Sequence, residues 1–182
     1  MVIDKTLVAA LIGKAIDGDQ TALRAIYDCY ADTMFNISLR MTANRADAED
    51  IVQESFIDAL GNLRKLRDAT TFGGWLRQIV INNCLKHAKG KKIFEALPDS
   101  LEPVDEGEGD SWLTQNNFRK IQEAIKNLPE GCRQIFLLYT MEDLKHREIG
   151  ERLSISESTS KSQYLRAKKL LQDYLKKEQW IK

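Results

Sequence analysis

The stretch from Glu95 to Asp110 decides more about the fold of this 182-residue chain than any other. It holds seven acids, no Lys or Arg, two prolines and two glycines. Proline removes a backbone donor and clashes with the preceding turn, so no helix propagates through it, and the segment has little apolar side chain to bury. Like charges keep it extended. The chain is therefore expected to fold as two bodies, residues 1–94 and 113–182, joined by an acidic flexible linker over 95–112, each with its own core.

Charge follows the same division. Residues 1–94 carry 13 Lys and Arg against 11 Asp and Glu, a net of +2. Residues 95–110 carry −7, and residues 111–182 carry 14 against 9, a net of +5. The overall zero hides a basic C-terminal part and an acidic middle.

Both bodies read as all-α. Leu7, Leu11 and Ala15 recur at helical spacing, and Asp17-Gly18-Asp19 ends that helix. A second run carries Leu23, Ile26, Tyr27, Tyr30, Met34, Ile37 and Met41, and Asn44 to Asp47 punctuate. A third follows with Ile51, Val52, Ser55, Phe56, Ala59, Leu60 and Leu63. After Arg67 to Thr71 a fourth begins at Phe72, with Trp75 on its packed side, and ends in a basic tail, Lys86 to Lys92. Phe118, Ile121, Ile125 and Leu128 mark a fifth helix. Pro129 opens a sixth as a first-turn proline, and two more are expected over roughly 145–153 and 157–177. Period-two alternation is essentially absent, so no strands are expected.

Cys29, Cys84 and Cys132 are far apart, with no C-x-x-C pair, and are read as free thiols, buried or half-buried. His87 and His146 are isolated, and no metal or cofactor is expected. No apolar run approaches the roughly 18 residues of a membrane span. The start, Met1 to Lys5, lacks the pattern of a signal peptide, so a cytoplasmic protein is expected. No phosphate-binding glycine loop or nucleophile–base pair is present, and no catalysed reaction is expected.

The segment Lys145–Leu171 has the anatomy of a helix-turn-helix. Ile149 and Leu153 put an apolar stripe on a short helix, Ser154-Ile155-Ser156 makes the turn, and the Ser156 hydroxyl suits an N-cap. In the next helix Ser160, Tyr164, Ala167 and Leu171 share a packed face. The opposite face is expected to present Thr159, Lys161, Ser162, Gln163, Arg166 and Lys169 to phosphates and base edges in a major groove. A solvated amphipathic helix is the plainer alternative.

The chain as a whole resembles a bacterial RNA polymerase sigma factor of the small extracytoplasmic-function (ECF) class. Asp47-Ala-Glu-Asp50-Ile-Val-Gln53-Glu54-Ser-Phe56 resembles the family's D-A-E-D-x-x-Q-E-x-F. Phe72-Gly-Gly-Trp75-Leu76-x-x-Ile79-x-x-Asn82 resembles its F-x-x-W-L-x-x-I-A-x-N. Leu128-Pro129 with Arg133 and Phe136, Glu148-Ile149-Gly150 with Leu153, and Ile155-Ser156 through Arg166-Ala167 resemble its C-terminal pattern. Ser160 stands where the family usually has Val, Gln163 where it often has Arg, and Ser154 and Ser158 replace glycines. Ser160 is expected to loosen packing slightly, and Gln163 to alter a DNA contact.

The resemblance implies binding to core RNA polymerase and to promoter DNA, with strand opening. Residues 1–94 would be region 2-like, with Asp50, Gln53, Glu54 and Asp58 docking on the β′ clamp helices. Asp68, Thr70, Thr71, Arg77, Asn82, Lys86 and Lys89, with Lys91 and Lys92, would meet the −10 element. Residues 113–182 would be region 4-like, gripping the −35 element through Thr159, Lys161, Ser162, Gln163, Leu165, Arg166 and Lys169 and touching the β flap. The acidic linker would enter the RNA path or act as a plain tether. An anti-sigma factor is a further implied partner. The competing readings are a stand-alone helix-turn-helix regulator, which leaves the Asp47–Phe56 and Phe72–Asn82 patterns unexplained, and an all-helical adaptor or anti-sigma antagonist.

Overall fold

The computed structural model describes residues 5–89 and 118–177, so the acidic stretch and Lys91 and Lys92 lie outside the described residues. Among those residues the structure is helical throughout, without strands. The chain divides into two compact units, residues 1–86 and 87–182, a division that falls in the last turn of the fourth helix. Each is described by itself.

The first unit contains α1 (Lys5–Ile16), α2 (Gln20–Thr42), α3 (Arg45–Gly61), two short 3-10 turns (Leu63–Lys65 and Ala69–Thr71) and α4 (Phe72–Lys89). Its helix boundaries are written in polar side chains. Gly18 takes φ 92°, a backbone angle that favours glycine, and turns the chain after α1. The Asp19 carboxylate then accepts from the N–H groups of Thr21 (2.8 Å) and Ala22 (3.2 Å), capping α2. Asn44 does the same for α3, accepting from Ala46 (2.9 Å) and Asp47 (3.2 Å). Residues 45–47, read from sequence as punctuation, already lie inside α3.

The core of this unit overlaps the expected apolar set, but on α1 the buried face is rotated away from the Leu7–Leu11–Ala15 repeat, and on α2 Tyr27 is exposed. On α1 the buried residues are Val8, Ile12 and Ala15, while Leu7 is exposed. On α2 they are Ala22, Ile26, Tyr30, Met34, Ser38, Met41 and Thr42. Phe72 at the start of α4 is fully buried, with its ring edge-on to Tyr30 at 5.4 Å. Trp75 is half-buried with its ring 6.1 Å from Phe72, so it is less enclosed than expected. Ser38 and Cys84 join α2 to α4 through a 3.5 Å hydroxyl–thiol contact. Burial pushes the Cys84 thiol up to about 11. All three cysteines are free thiols, Cys84 and Cys132 buried and Cys29 half-buried.

The second unit contains α5 (Phe118–Lys126), α6 (Glu130–Met141), α7 (His146–Leu153) and α8 (Glu157–Lys177). Pro129 sits one residue earlier than expected, as the residue before α6. The long α8 packs against α5, α6 and α7. Its buried stripe is Ser160, Gln163, Tyr164, Ala167, Leu171 and Leu175, and Ile121, Leu128, Ile135, Leu138 and Ile149 are buried in the same unit. Each fully buried Leu or Ile contributes roughly 1.5–3 kcal/mol relative to exposure. Arg133 is buried too, and its Nη1 donates to the carbonyls of Leu128 (2.7 Å) and Lys126 (3.2 Å), closing the C-terminal end of α5.

Candidate nucleic-acid and polymerase interfaces

The helix-turn-helix forms as its local chemistry dictates. At the start of α7 the Lys145 N–H donates to the Glu148 carboxylate at 2.8 Å. The helix ends at Ser154, held in the left-handed region at φ 58° and ψ 44°, whose N–H meets the Gly150 carbonyl. Ile155, half-buried, brings its own N–H to the same carbonyl at 3.0 Å. A Cβ on Gly150 would lie 2.8 Å from the Ile155 carbonyl oxygen, so the turn closes on a glycine. Ser156 caps α8: its hydroxyl accepts from the Thr159 N–H at 3.0 Å.

Left-handed backbone disfavours a side chain with a Cβ by about 1–2 kcal/mol, partly offset by the extra freedom glycine has when unfolded. Ser154→Gly is accordingly expected to raise the stability of this unit by about 0.5–1 kcal/mol, read as a higher urea midpoint; a lower midpoint would show that the serine side chain supplies more than the backbone costs.

On the outer side of α8, Lys161 and Lys169 are exposed, and Thr159, Ser162, Leu165 and Arg166 are half-exposed. Lys161 pairs with Glu157 one turn back at 2.7 Å, and this partner holds the Glu157 carboxyl below its ordinary range. The Ser162 hydroxyl donates to the Thr159 carbonyl at 3.1 Å, and the Thr159 hydroxyl lies 2.7 Å from that of Ser156. Gln163 departs from expectation. It is 4% exposed and its Oε1 accepts from the Cys132 thiol at 2.9 Å. Its side chain belongs to the packed face, because α6 approaches α8 on that flank, and it is not presented to DNA. Ser160 is fully buried as expected, and its hydroxyl is paired with His146 Nδ1 at 3.0 Å.

In the first unit, Asp68, Thr70 and Thr71 form one small turn. Asp68 Oδ1 accepts from the Thr70 N–H (2.9 Å) and hydroxyl (2.7 Å), and the Thr71 hydroxyl donates to the Asp68 carbonyl at 2.7 Å. All three are exposed at the entrance to α4. Along α4, Asn82, Lys86 and Lys89 are exposed and Arg77 is half-buried.

Asp50, Gln53, Glu54 and Asp58 are exposed along one side of α3, as their spacing of three and four residues requires. Ile57 shares that stripe and is 72% exposed, an apolar residue the sequence reading passed over. Its outward position was legible from its distance to Phe56 and Val52, which point inward. Next to Gln53 a groove of about 230 Å³ opens between α2 and α3, floored by Tyr27, Phe35 and Val52 and rimmed by Asp32, Arg45 and Glu49.

The structure also joins two sets that the sequence keeps apart. Lys86 Nζ lies 3.5 Å from Glu54, and Asn83 Nδ2 donates to the Ser55 hydroxyl at 3.1 Å and approaches the Asp58 carboxylate at 3.4 Å. Lys86 and Asn83 of α4 thus stand beside the acidic stripe of α3. No helix among the described residues is long and apolar enough to cross a membrane.

A helical unit with an acidic face on α3, and a second unit with a capped helix-turn-helix, are the anatomy expected of a two-part transcription protein. Comparison with known proteins narrows this further. The family model for sigma-70 region 2 matches residues 26–93, and that for sigma-70 region 4 matches residues 118–171. ECF RNA polymerase sigma factor SigW of Bacillus subtilis is 30% identical over 171 residues, 87% of this chain and 91% of that protein. ECF RNA polymerase sigma factor SigE of Mycolicibacterium smegmatis is 30% identical over 168 residues, 88% of this chain but only 65% of its relative's length. In solved structures the fold is similar to that of CnrH, determined in complex with the cytosolic domain of CnrY, with a TM-score of 0.50 and 17% identity over 95% of this chain and 98% of that one. The chain belongs to the ECF RNA polymerase sigma factors. It is a promoter-recognising factor of RNA polymerase rather than a stand-alone regulator.

Proposed function

We propose a division of labour for this sigma factor. The first unit docks on the β′ clamp helices of core polymerase through Asp50, Gln53, Glu54 and Asp58. It meets the −10 element, as the strands separate, through the Asp68–Thr71 turn and Arg77, Asn82, Lys86 and Lys89. The second unit grips the −35 element in the major groove through Thr159, Lys161, Ser162, Leu165, Arg166 and Lys169. In this reading residues 1–94 and 113–182 are the two working domains and 95–112 the acidic connection between them.

The observation that carries the reading is the exposed acidic stripe of α3, with Lys86 of α4 standing against Glu54 at its side. An acidic face suits a protein partner, and cations beside hydroxyl and amide groups suit an opened, negatively charged strand. Phosphate contacts would make binding strongly salt-dependent, and each good groove contact would add about 1–3 kcal/mol of base discrimination. In the second unit we place the β flap contact at a groove of about 410 Å³ lined by Leu128, Pro129, Leu170 and Tyr174 with Asp173 and Lys177, bordered by Arg166 of the DNA-facing set. CnrH is solved with a partner's cytosolic domain, and by extension we propose an anti-sigma factor as a protein antagonist here.

Promoter-directed run-off transcription with purified core polymerase tests this. The wild-type chain is expected to direct initiation from a discrete start, with activity falling steeply as salt rises. Glu54→Lys is expected to weaken core-polymerase affinity at least about tenfold, or about 1.4 kcal/mol, by placing a like charge beside Lys86 and removing an acid from the docking strip. Unchanged affinity of Glu54→Lys in a pull-down would remove α3 from the interface.

A further inference from the structure

The inner face of α8 is not uniformly apolar. Ser160 is fully buried, and its Oγ lies 3.0 Å from Nδ1 of His146, the first residue of α7. The imidazole is held on two further sides. It stacks on Tyr139 of α6 at 4.6 Å and 15°, and meets Tyr164 of α8 edge-on at 5.4 Å. The Tyr139 and Tyr164 rings are themselves 4.5 Å apart. One half-buried ring from α7 is therefore flanked by rings from α6 and α8 and hydrogen-bonded to Ser160 of α8.

We infer that His146 is a positioning residue for promoter recognition: its bond to Ser160 sets the roll of α8 on α7, and so the aim of Thr159, Lys161 and Ser162 at the DNA. The inference rests on the reading of α8 as the DNA-contacting helix.

The physical reason is tolerance. An apolar stripe packs nearly as well over a range of small rotations, because the hydrophobic effect is non-directional. A hydrogen bond is directional and weakens steeply when misaligned, and a buried hydroxyl left unpaired costs free energy. A roll of about 10° moves a side chain roughly 6 Å from the helix axis by about 1 Å, enough to spoil a bond to a base edge. Ser160 sits between Thr159 and Lys161 in sequence, so the anchor is at the point where aim matters.

The surroundings keep the ring neutral near neutral pH. Burial, and then Lys161 on α8, push the imidazole below its ordinary value, with Glu157 on α8 opposing them. Tyr139 is the titratable neighbour on α6, Tyr164 on α8, and Arg147 follows on α7. With the folded value below the unfolded one, this contribution to stability is fully present above the ordinary histidine value and is lost as pH falls through the folded value.

The test uses holoenzyme assembled from the full chain and core polymerase. The probe is a duplex enriched from random DNA by the wild-type holoenzyme, compared with the same duplex carrying a scrambled upstream element. His146→Phe, which keeps a ring but loses the bond, and Ser160→Ala are each expected to cut this discrimination about three- to tenfold. The double variant is expected to cut it no further, because both remove one interaction. His146→Asn, which keeps a polar atom near the Nδ1 position, is expected to recover part of the ratio. His146→Phe is also expected to flatten part of the acid-side loss of stability. Ser160→Ala removes a single oxygen and keeps the test open should the Phe variant misfold. Unchanged discrimination in Ser160→Ala, or additive losses in the double variant, would overturn the inference while leaving α8 on the DNA. Unchanged promoter affinity in Lys161→Ala would instead remove α8 from the DNA, and the inference with it.

Discussion

Phe72→Ala is expected to lower the stability of the first unit by about 3–5 kcal/mol. Phe72 is fully buried, and its ring meets Tyr30 edge-on and Trp75 at a tilt. Truncation removes the transfer free energy of a whole ring and leaves a cavity that neighbouring helices fill only in part. It also deletes aromatic pairing worth about 0.5–1.5 kcal/mol beyond burial. The location adds a functional consequence. Phe72 follows directly on the Asp68–Thr71 turn, and its N–H donates to the Ala69 carbonyl. Loosening the ring frees the turn proposed to meet the −10 element. Hydrogen exchange along α2 and α4 is the measurement, because it reports on one unit of a two-unit chain. Protection in those helices is expected to fall by about two to four orders of magnitude, with α6 and α8 little changed. A loss below about 1 kcal/mol would mean that Tyr30 and Trp75 collapse into the space.

Arg133→Met is expected to cost the second unit about 2–4 kcal/mol. The side chain is 5% exposed, and its guanidinium donates to two carbonyls at the end of α5. Hydrogen bonds from a charged donor contribute about 1.5–3 kcal/mol each, and methionine offsets part of their loss by removing the desolvation cost of a buried guanidinium. Burial pushes the Arg133 group below its ordinary value, while Glu130 opposes the shift. Methionine replaces most of the apolar stem, so the loss reads the polar head. Arg133→Lys is expected to recover only part, since the shorter, strongly hydrated ammonium does not hold the planar geometry in which Nη1 meets both carbonyls. The check is urea unfolding of the full chain followed by exchange at α5 and α6 amides. A midpoint within error of wild type would show that water satisfies those carbonyls.

Much of the fold was legible because its signals are local. Asp19, Asn44 and Ser156 each sit just before an apolar-periodic run, and each caps a helix in the structure. A cap needs only a short side chain and the next three residues, so tertiary context has little to add. The buried stripe Ser160, Tyr164, Ala167 and Leu171 is likewise a matter of helical period. Ranges for the last two helices agree within a residue for the same reason. The role of Arg133 was less accessible. A single Arg in an apolar run has no periodic signature, and its carbonyl partners lie in the connection from the preceding helix.

Position on the edge of a stripe is where local reasoning stops. Gln163 lies about 70° from the centre of the buried face at 100° per residue, far enough to be read as outward. Whether such a flanking residue is covered depends on where the next helix passes, and α6 passes there, placing Cys132 against it. Leu7 is the converse case, an apolar residue of the α1 repeat that stays 58% exposed.

The sequence alone thus determined that this protein is all-helical, roughly where its helices lie, and which family its motifs fit, because capping, period and motif spacing are properties of neighbours along the chain. Only the tertiary structure decided that Lys86 and Asn83 of α4 stand against Glu54, Ser55 and Asp58 of α3. It alone decided that Ser160 and Gln163 of α8 point inward, each with a polar partner on a neighbouring helix. Those pairings join residues 14 to 32 positions apart, and their partners are chosen by how the helices cross, which no single helix encodes.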